Sequence, residues 1–282
     1  MKTLRTATVV AIALALLPAN AYASSITAWN STTVLQGHVV IPVGQTVTVA
    51  PNTKITVPDG TLITVNGKLT APDGLSLSGK SWGGLVVTGE AVLTNFQESG
   101  ATASFQVATS GSLTIHGGSI SGVHGASTVE GSFVANSLHY DKGSGGGIDS
   151  NNGTGSITID HSVLTGAGRN TGDFFELNSV KTIILSNSQM TGAHCAFHVL
   201  ALKNMKLNHN SIYENSYGFM MYGSSTAGTK TIDNTTIRDN MVGFDEGSSS
   251  TKNGSIIITH SLISHNGKNL GLYTGKVKIV SP

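Results

Sequence analysis

The sequence is poor in what usually braces or charges a protein: one cysteine, six prolines, 6% aromatic and 11% charged residues. Cys195 has no partner for an intramolecular disulfide, so an exported fold must rest on packing and hydrogen bonding. Sparse charge excludes coiled coils and basic nucleic-acid binders, and low charge with high glycine argues against helical bundles. The longest apolar run, Ala7 to Leu17, falls short of the roughly 20 residues needed to span a bilayer.

What is present is glycine, 35 residues of it, and 39% hydrophobic residues in a chain of 282. That combination predicts a β-rich extracellular protein with a sizeable core. Lys2 and Arg5, the apolar run behind them and Ala21-Tyr22-Ala23 have the three parts of a secretory signal, which predicts a signal peptide over residues 1–23. Without Lys2 and Arg5 the chain keeps 14 of its 16 basic residues against 15 acidic ones, so net charge favours neither polyanions nor membrane surfaces.

Self-comparison organises the rest. Ile212-Tyr213-Glu214-Asn215-Ser216-Tyr217-Gly218-Phe219 repeats as Ile237-Arg238-Asp239-Asn240-Met241-Val242-Gly243-Phe244, and the leading apolar position can be followed through Phe96, Ile120, Leu138, Leu164, Met190, Ile212, Ile237 and Ile263. A second apolar column lies five residues earlier, from Ala91, Ile115 and Phe133 to Ile258. Columns five apart cannot share one face of an unbroken strand, so each repeat must bend between short strands. Stacked turns pair each strand with its copy and bury a continuous apolar column. His161, Asn187, His209, Asn234 and His260 form a further column, read as a hydrogen-bonding ladder at a bend. Residues 24–95 carry shorter strands of the same character, residues 96–282 the repeats of about 24 residues. Lys142 to Gly155, rich in glycine, serine and asparagine, reads as an outward loop, and Lys276 to Val280 as a last strand with lysines guarding its edge.

The Ile-x-x-Asn-x-x-Gly-Phe repeats, with Asn215, Asn240 and Asn266 as three rungs of an asparagine ladder, and Lys80-Ser81-Trp82-Gly83-Gly84-Leu85-Val86-Val87 resemble the right-handed parallel β-helix superfamily, which includes pectate-lyase-like and surface β-helix proteins. The resemblance implies an all-β, single right-handed parallel β-helix of about ten rungs and a carbohydrate-rich setting. It names no reaction.

Candidate chemistry follows from the register. Eight to twelve residues after the leading apolar position stand Asp149, Asp173, Glu176, His198, Asp245 and Glu246, which stacking could gather on one side. Arg169 and Asp173, in a glycine-rich departure from the repeat, offer the cation and base that a uronate lyase needs. A local ion pair or turn contact is the plainer reading of the two. Asn170-Thr171-Gly172-Asp173 resembles the Asn-Thr-Asp element of polygalacturonase-type hydrolases, but an inserted glycine breaks it. His194-Cys195-Ala196-Phe197-His198 holds three possible metal ligands. Strict alternation sets Cys195 and Phe197 opposite the histidines, which makes the cysteine core filler and gives no metal site.

The sequence therefore predicts an exported, non-catalytic scaffold that binds glycans or surface components, without cofactor, nucleic-acid partner or membrane span. Two alternatives stand beside it. One is a lyase or epimerase acting on acidic polysaccharide through Asp149, Arg169, Asp173, Glu176 and His198, in which calcium would have a place; the other is self-association through the solenoid ends.

Overall fold

The computed structural model describes residues 27–143, 145–222, 228–246, 256–271 and 277–280; the signal-peptide expectation falls outside them. The chain coils into a parallel β-solenoid of about ten turns, without a helix among the described residues, and so with none that could cross a membrane.

One turn shows how the sequence makes the coil. Leu202–Asn208 runs along a first face with Leu202, Met205 and Leu207 buried. His209 then takes a left-handed backbone conformation (φ 55°) and turns the chain onto Ser211–Tyr213 of a second face. Glu214 does the same (φ 58°), and Tyr217–Met221 forms a third. The first two faces merge into a 19-stranded sheet, because Glu90–Ala101, Ser112–Ser121 and Ser132–Asp141 each run through the first corner unbroken; the third is an 11-stranded sheet. Every strand pairing among the described residues is parallel, as stacked turns require. Val277–Val280 pairs with Ile256–Thr259 and is the last strand expected.

The first corner has a consistent chemistry. Asn95, Ser137, His161, Asn187, His209, Asn234 and His260 all have φ between 45° and 57°, a region that asparagine tolerates best after glycine. The His/Asn column is thus a turn device, but the ladder of hydrogen bonds is carried one residue later. The amide of Ser162 donates to Ser188 Oγ (3.0 Å), that of Ser188 to Asn210 Oδ1 (3.0 Å) and that of Thr235 to Ser261 Oγ (3.1 Å). His161 and His260 instead point outward to Asp160 (2.7 Å) and Asp233 (2.8 Å).

At the second corner the asparagine ladder is present. Asn240 Oδ1 accepts from the Asn215 amide (2.9 Å), while Asn240 Nδ2 donates to Asn266 Oδ1 (3.0 Å) and to the carbonyls of Ile212 (3.1 Å) and Arg238 (3.0 Å). Asn240→Ala would strand several of these buried groups at once. We expect it to cost about 2–4 kcal/mol in urea unfolding; a loss below about 0.5 kcal/mol would remove the ladder from the account of stability.

Two expectations are corrected. Ile120 pairs with Glu98 and Tyr140, whereas Phe96 and Leu138 pair with Gly118. The apolar register thus holds at Ile120 and from Leu164 onward but is two residues early at Phe96 and Leu138, and likewise at Ala91 and Phe133. At Phe96 the cause is Glu98, a carboxylic acid in an inward position, 3% exposed, which a search for apolar columns passes over; at Leu138 the column position is held by Tyr140, which is fully buried. The stretch from Lys142 to Gly155 is not wholly a loop. Ile148–Ser150 is a strand of the third face, paired with Ser127–Thr128 and with Phe175–Leu177, and Lys142 is buried.

Candidate functional site

On the third face strict alternation fails in a regular way. Phe174-Phe175 and Gly243-Phe244 are consecutive buried pairs, and Ala196-Phe197 and Gly218-Phe219 lie within longer buried runs, Cys195 to Phe197 and Gly218 to Met221. Phe175, Phe197, Phe219 and Phe244 stack through successive turns at centroid distances of 5.1, 4.8 and 5.2 Å. The residues flanking each pair, three apart, therefore point outward together. One outward column runs Asp149, Glu176, His198, Met220, Asp245 by strand register. The other flank carries Asp173, Cys195 and Tyr217.

This brings together four of the five predicted site residues. Asp173 is the hub: its carboxylate accepts hydrogen bonds from His198 Nδ1 (2.8 Å), His194 Nδ1 (3.0 Å) and the Cys195 amide (3.0 Å). Burial alone would raise its pKa, but these donors outweigh it and hold it at about 2. The same hydrogen bond raises the pKa of His198 against the effect of burial. Asp149 is pushed up to about 7, first by burial and then by the negative fields of Glu176 and Asp173. Glu176 stands between Asp149 and His198 in the column, its Oε1 accepting from Asn178 (3.3 Å).

Arg169 is not part of the cluster. Its Nε donates to the Glu214 carbonyl (3.2 Å) and its Nη2 to that of Asp239 (2.7 Å), while Ser216 Oγ donates to the Arg169 carbonyl (2.9 Å). It staples two turns at the second corner, and the expected contact with Asp173 is absent. A guanidinium finds fixed carbonyl oxygens there, at residues whose left-handed conformation turns those groups out of the strand ladder. Glu246 is also outside the column, buried one residue beyond Asp245.

Several participants were not visible in the sequence. Lys142 places its ammonium between the carbonyls of Gly145 (2.8 Å) and Thr171; burial lowers its pKa, and the charges of Asp173 and Asp141 oppose that. Tyr217 meets His194 edge-on (5.5 Å) and Tyr222 meets His198 edge-on (6.1 Å). Burial first, and then the charge of the neighbouring Asp245, raise the pKa of Tyr222 to about 12. Tyr217 flanks the Gly218-Phe219 pair and Tyr222 directly follows its strand, Tyr217–Met221, the only sequence signal that could have found them. Cys195 is fully buried, as expected, yet its thiol is not core filler. Sγ lies 3.3 Å from His194 Nδ1 and 3.9 Å from Met220 Sδ, on the outward side of the strand, because Ala196 and Phe197 both turn inward.

Comparison with protein-family models, curated proteins and solved structures found no match. The functional reading therefore rests on the chemistry of this face.

Proposed function

We propose that the protein is an exported glycan-binding scaffold whose third face also carries an acid–base centre, with Asp149 as the proton donor, Glu176 as its carboxylate partner and His198 on the next turn. The observation that carries this reading is the stacking of Asp149, Glu176 and His198 at one register position of three successive turns, where burial and the charges of Glu176 and Asp173 push Asp149 up to about 7 while the hydrogen bonds from His198, Cys195 and His194 hold the neighbouring Asp173 at about 2. Environments that push titratable neighbours apart in this way are how one site supplies both an acid and a base near neutrality.

Adjacent strands stand roughly 4.8 Å apart, which favours a carboxyl separation near the ~5 Å of retaining glycosidases over the ~6.5–9.5 Å of inverting ones. Tyr217 and Tyr222 add rigid amphipathic rings beside the carboxyls, suited to the apolar faces of sugars. A lyase or epimerase acting on acidic polysaccharide is less favoured. Arg169 is committed to two carbonyls, Lys142 is buried, and the face would repel a polyuronate. A neutral glycan is the substrate class we infer.

The test is a panel of neutral and acidic polysaccharides, scored for new reducing ends and for unsaturated uronate absorbance. Reducing ends from a neutral polymer are expected, with a rate that declines as pH rises through about 7 and drops about 100-fold or more in Asp149→Asn. An unchanged rate in Asp149→Asn and Glu176→Gln would remove the acid–base centre. Silence across the panel with retained pull-down of a glycan would leave the scaffold alone.

A further inference from the structure

We propose that Asp173, His194 and Cys195 form a binding site for a thiophilic divalent cation, zinc above all, with His198 and Met220 at its margin. Neither glycan binding nor acid–base chemistry is assumed in this assignment.

The geometry is that of donors gathered around one point. A carboxylate oxygen of Asp173, a ring nitrogen of His194 and Sγ of Cys195 all lie within 4.8 Å of one another. The two closest separations are 3.0 Å from Asp173 Oδ1 to His194 Nδ1 and 3.3 Å from that nitrogen to the sulfur. Zinc bonds of about 2.0–2.3 Å in a tetrahedron put neighbouring donors roughly 3.3–3.7 Å apart. Loss of the bridging protons and a spread of a few tenths of an ångström would make room for the metal.

The surroundings fit the same reading. Asp173 is pinned from a second side by His198 Nδ1 (2.8 Å), so its carboxylate already has a fixed orientation. The His194 ring is steadied by the edge contact with Tyr217. Such outer contacts orient metal ligands and tune their basicity. The fully buried Cys195 sulfur meets an imidazole and the thioether of Met220 rather than the aromatic stack. Thiolate with imidazole and carboxylate selects zinc or a neighbouring transition ion over calcium and magnesium, which prefer all-oxygen sites. Three protein donors leave a fourth position for water or for the marginal His198. Asp173 and the His194-Cys195 pair belong to successive turns, so the ion would also clamp two rungs together.

The site is tested by adding cobalt(II), then zinc, to chelator-treated protein. Cobalt is expected to give a near-ultraviolet sulfur-to-metal charge-transfer band together with intense tetrahedral visible bands, both erased by zinc. Cys195→Ala should abolish the charge-transfer band, and Cys195→Ala or His194→Ala should weaken zinc binding by more than about 100-fold; His198→Gln, at the margin, should weaken it by about 10-fold. Circular dichroism checks that each variant folds. If Cys195→Ala does not fold, the near-isosteric Asp173→Asn decides by the same loss of affinity. Cobalt uptake without a thiolate band, or zinc affinity within about threefold of the parent in folded Cys195→Ala, would overturn the assignment.

Discussion

Phe197→Ala is expected to lower the unfolding free energy by about 3–5 kcal/mol, the range for removing a large buried aromatic side chain from a close-packed core. Phe197 has no exposed surface and is sandwiched between Phe175 and Phe219, nearly parallel to the latter at 3°. Its loss removes two stacking contacts, each worth about 0.5–1.5 kcal/mol beyond burial. It also leaves a gap that backbones held on both sides by strand pairing cannot close. Each turn of a solenoid touches chiefly its neighbours, so the damage should be local in origin, weakening the coupling between the turns of Phe175 and Phe219. Urea unfolding followed by fluorescence and circular dichroism measures the loss. A deficit under about 1 kcal/mol would mean that the stack is incidental to stability. Because Cys195 and His198 lie on the same strand, on either side of Ala196-Phe197, the variant should also lose metal affinity and glycan retention, which a distant core substitution such as Ile115→Ala should leave intact.

That dependence of the outer face on the inner one explains what the sequence could and could not reveal. The parallel coil was legible because Ile212 and Ile237, and Phe219 and Phe244, recur at one offset and pair in register. The column of Asp149, Glu176 and His198 was legible only as a window, since these residues stand eleven, twelve and eight residues after Leu138, Leu164 and Met190, and it is strand pairing that sets them in one register. Arg169 escapes the register because four residues along the chain do not make Asp173 its neighbour in space: the guanidinium reaches across turns to Glu214 and Asp239. Cys195 was misread because alternation with period two holds only while the strand is regular. The buried pair Ala196-Phe197 breaks it and carries the thiol to the histidine side. Ile148–Ser150 was hidden by its glycine-rich surroundings, since three residues held in place by neighbouring turns need little propensity of their own.

Replacing Glu98 by glutamine should stabilise the protein at pH 8 by roughly 3 kcal/mol and change little at pH 4. Glu98 stands in the apolar column between Leu77 and Ile120. Its Oε1 accepts from the Ala101 amide (3.1 Å), and Oε2 has no hydrogen-bond partner among the described residues. Burial raises its pKa from 4.5 to about 7; Ser104, close by but outside hydrogen-bond geometry, and the Ala101 amide pull the other way without cancelling it. An acid whose pKa is higher in the folded chain is held there as the neutral form, so between about 4.5 and 7 the native state binds more protons than the unfolded one. Stability must then fall as pH rises through that interval, by about 1.4 kcal/mol per pH unit. Below 4.5 both states are protonated and the group contributes no slope; above 7 the full penalty is in place. Glutamine keeps the shape and one acceptor while removing the titration. The measurement is the urea midpoint of both proteins at about pH 4, 6 and 8. Parallel curves with no gap opening from the acid to the alkaline end would show that the carboxyl is solvated in the native state, against its place in the column. A gap that opens with pH would identify Glu98 as the residue that makes the N-terminal half of the solenoid more stable in acid than at neutrality.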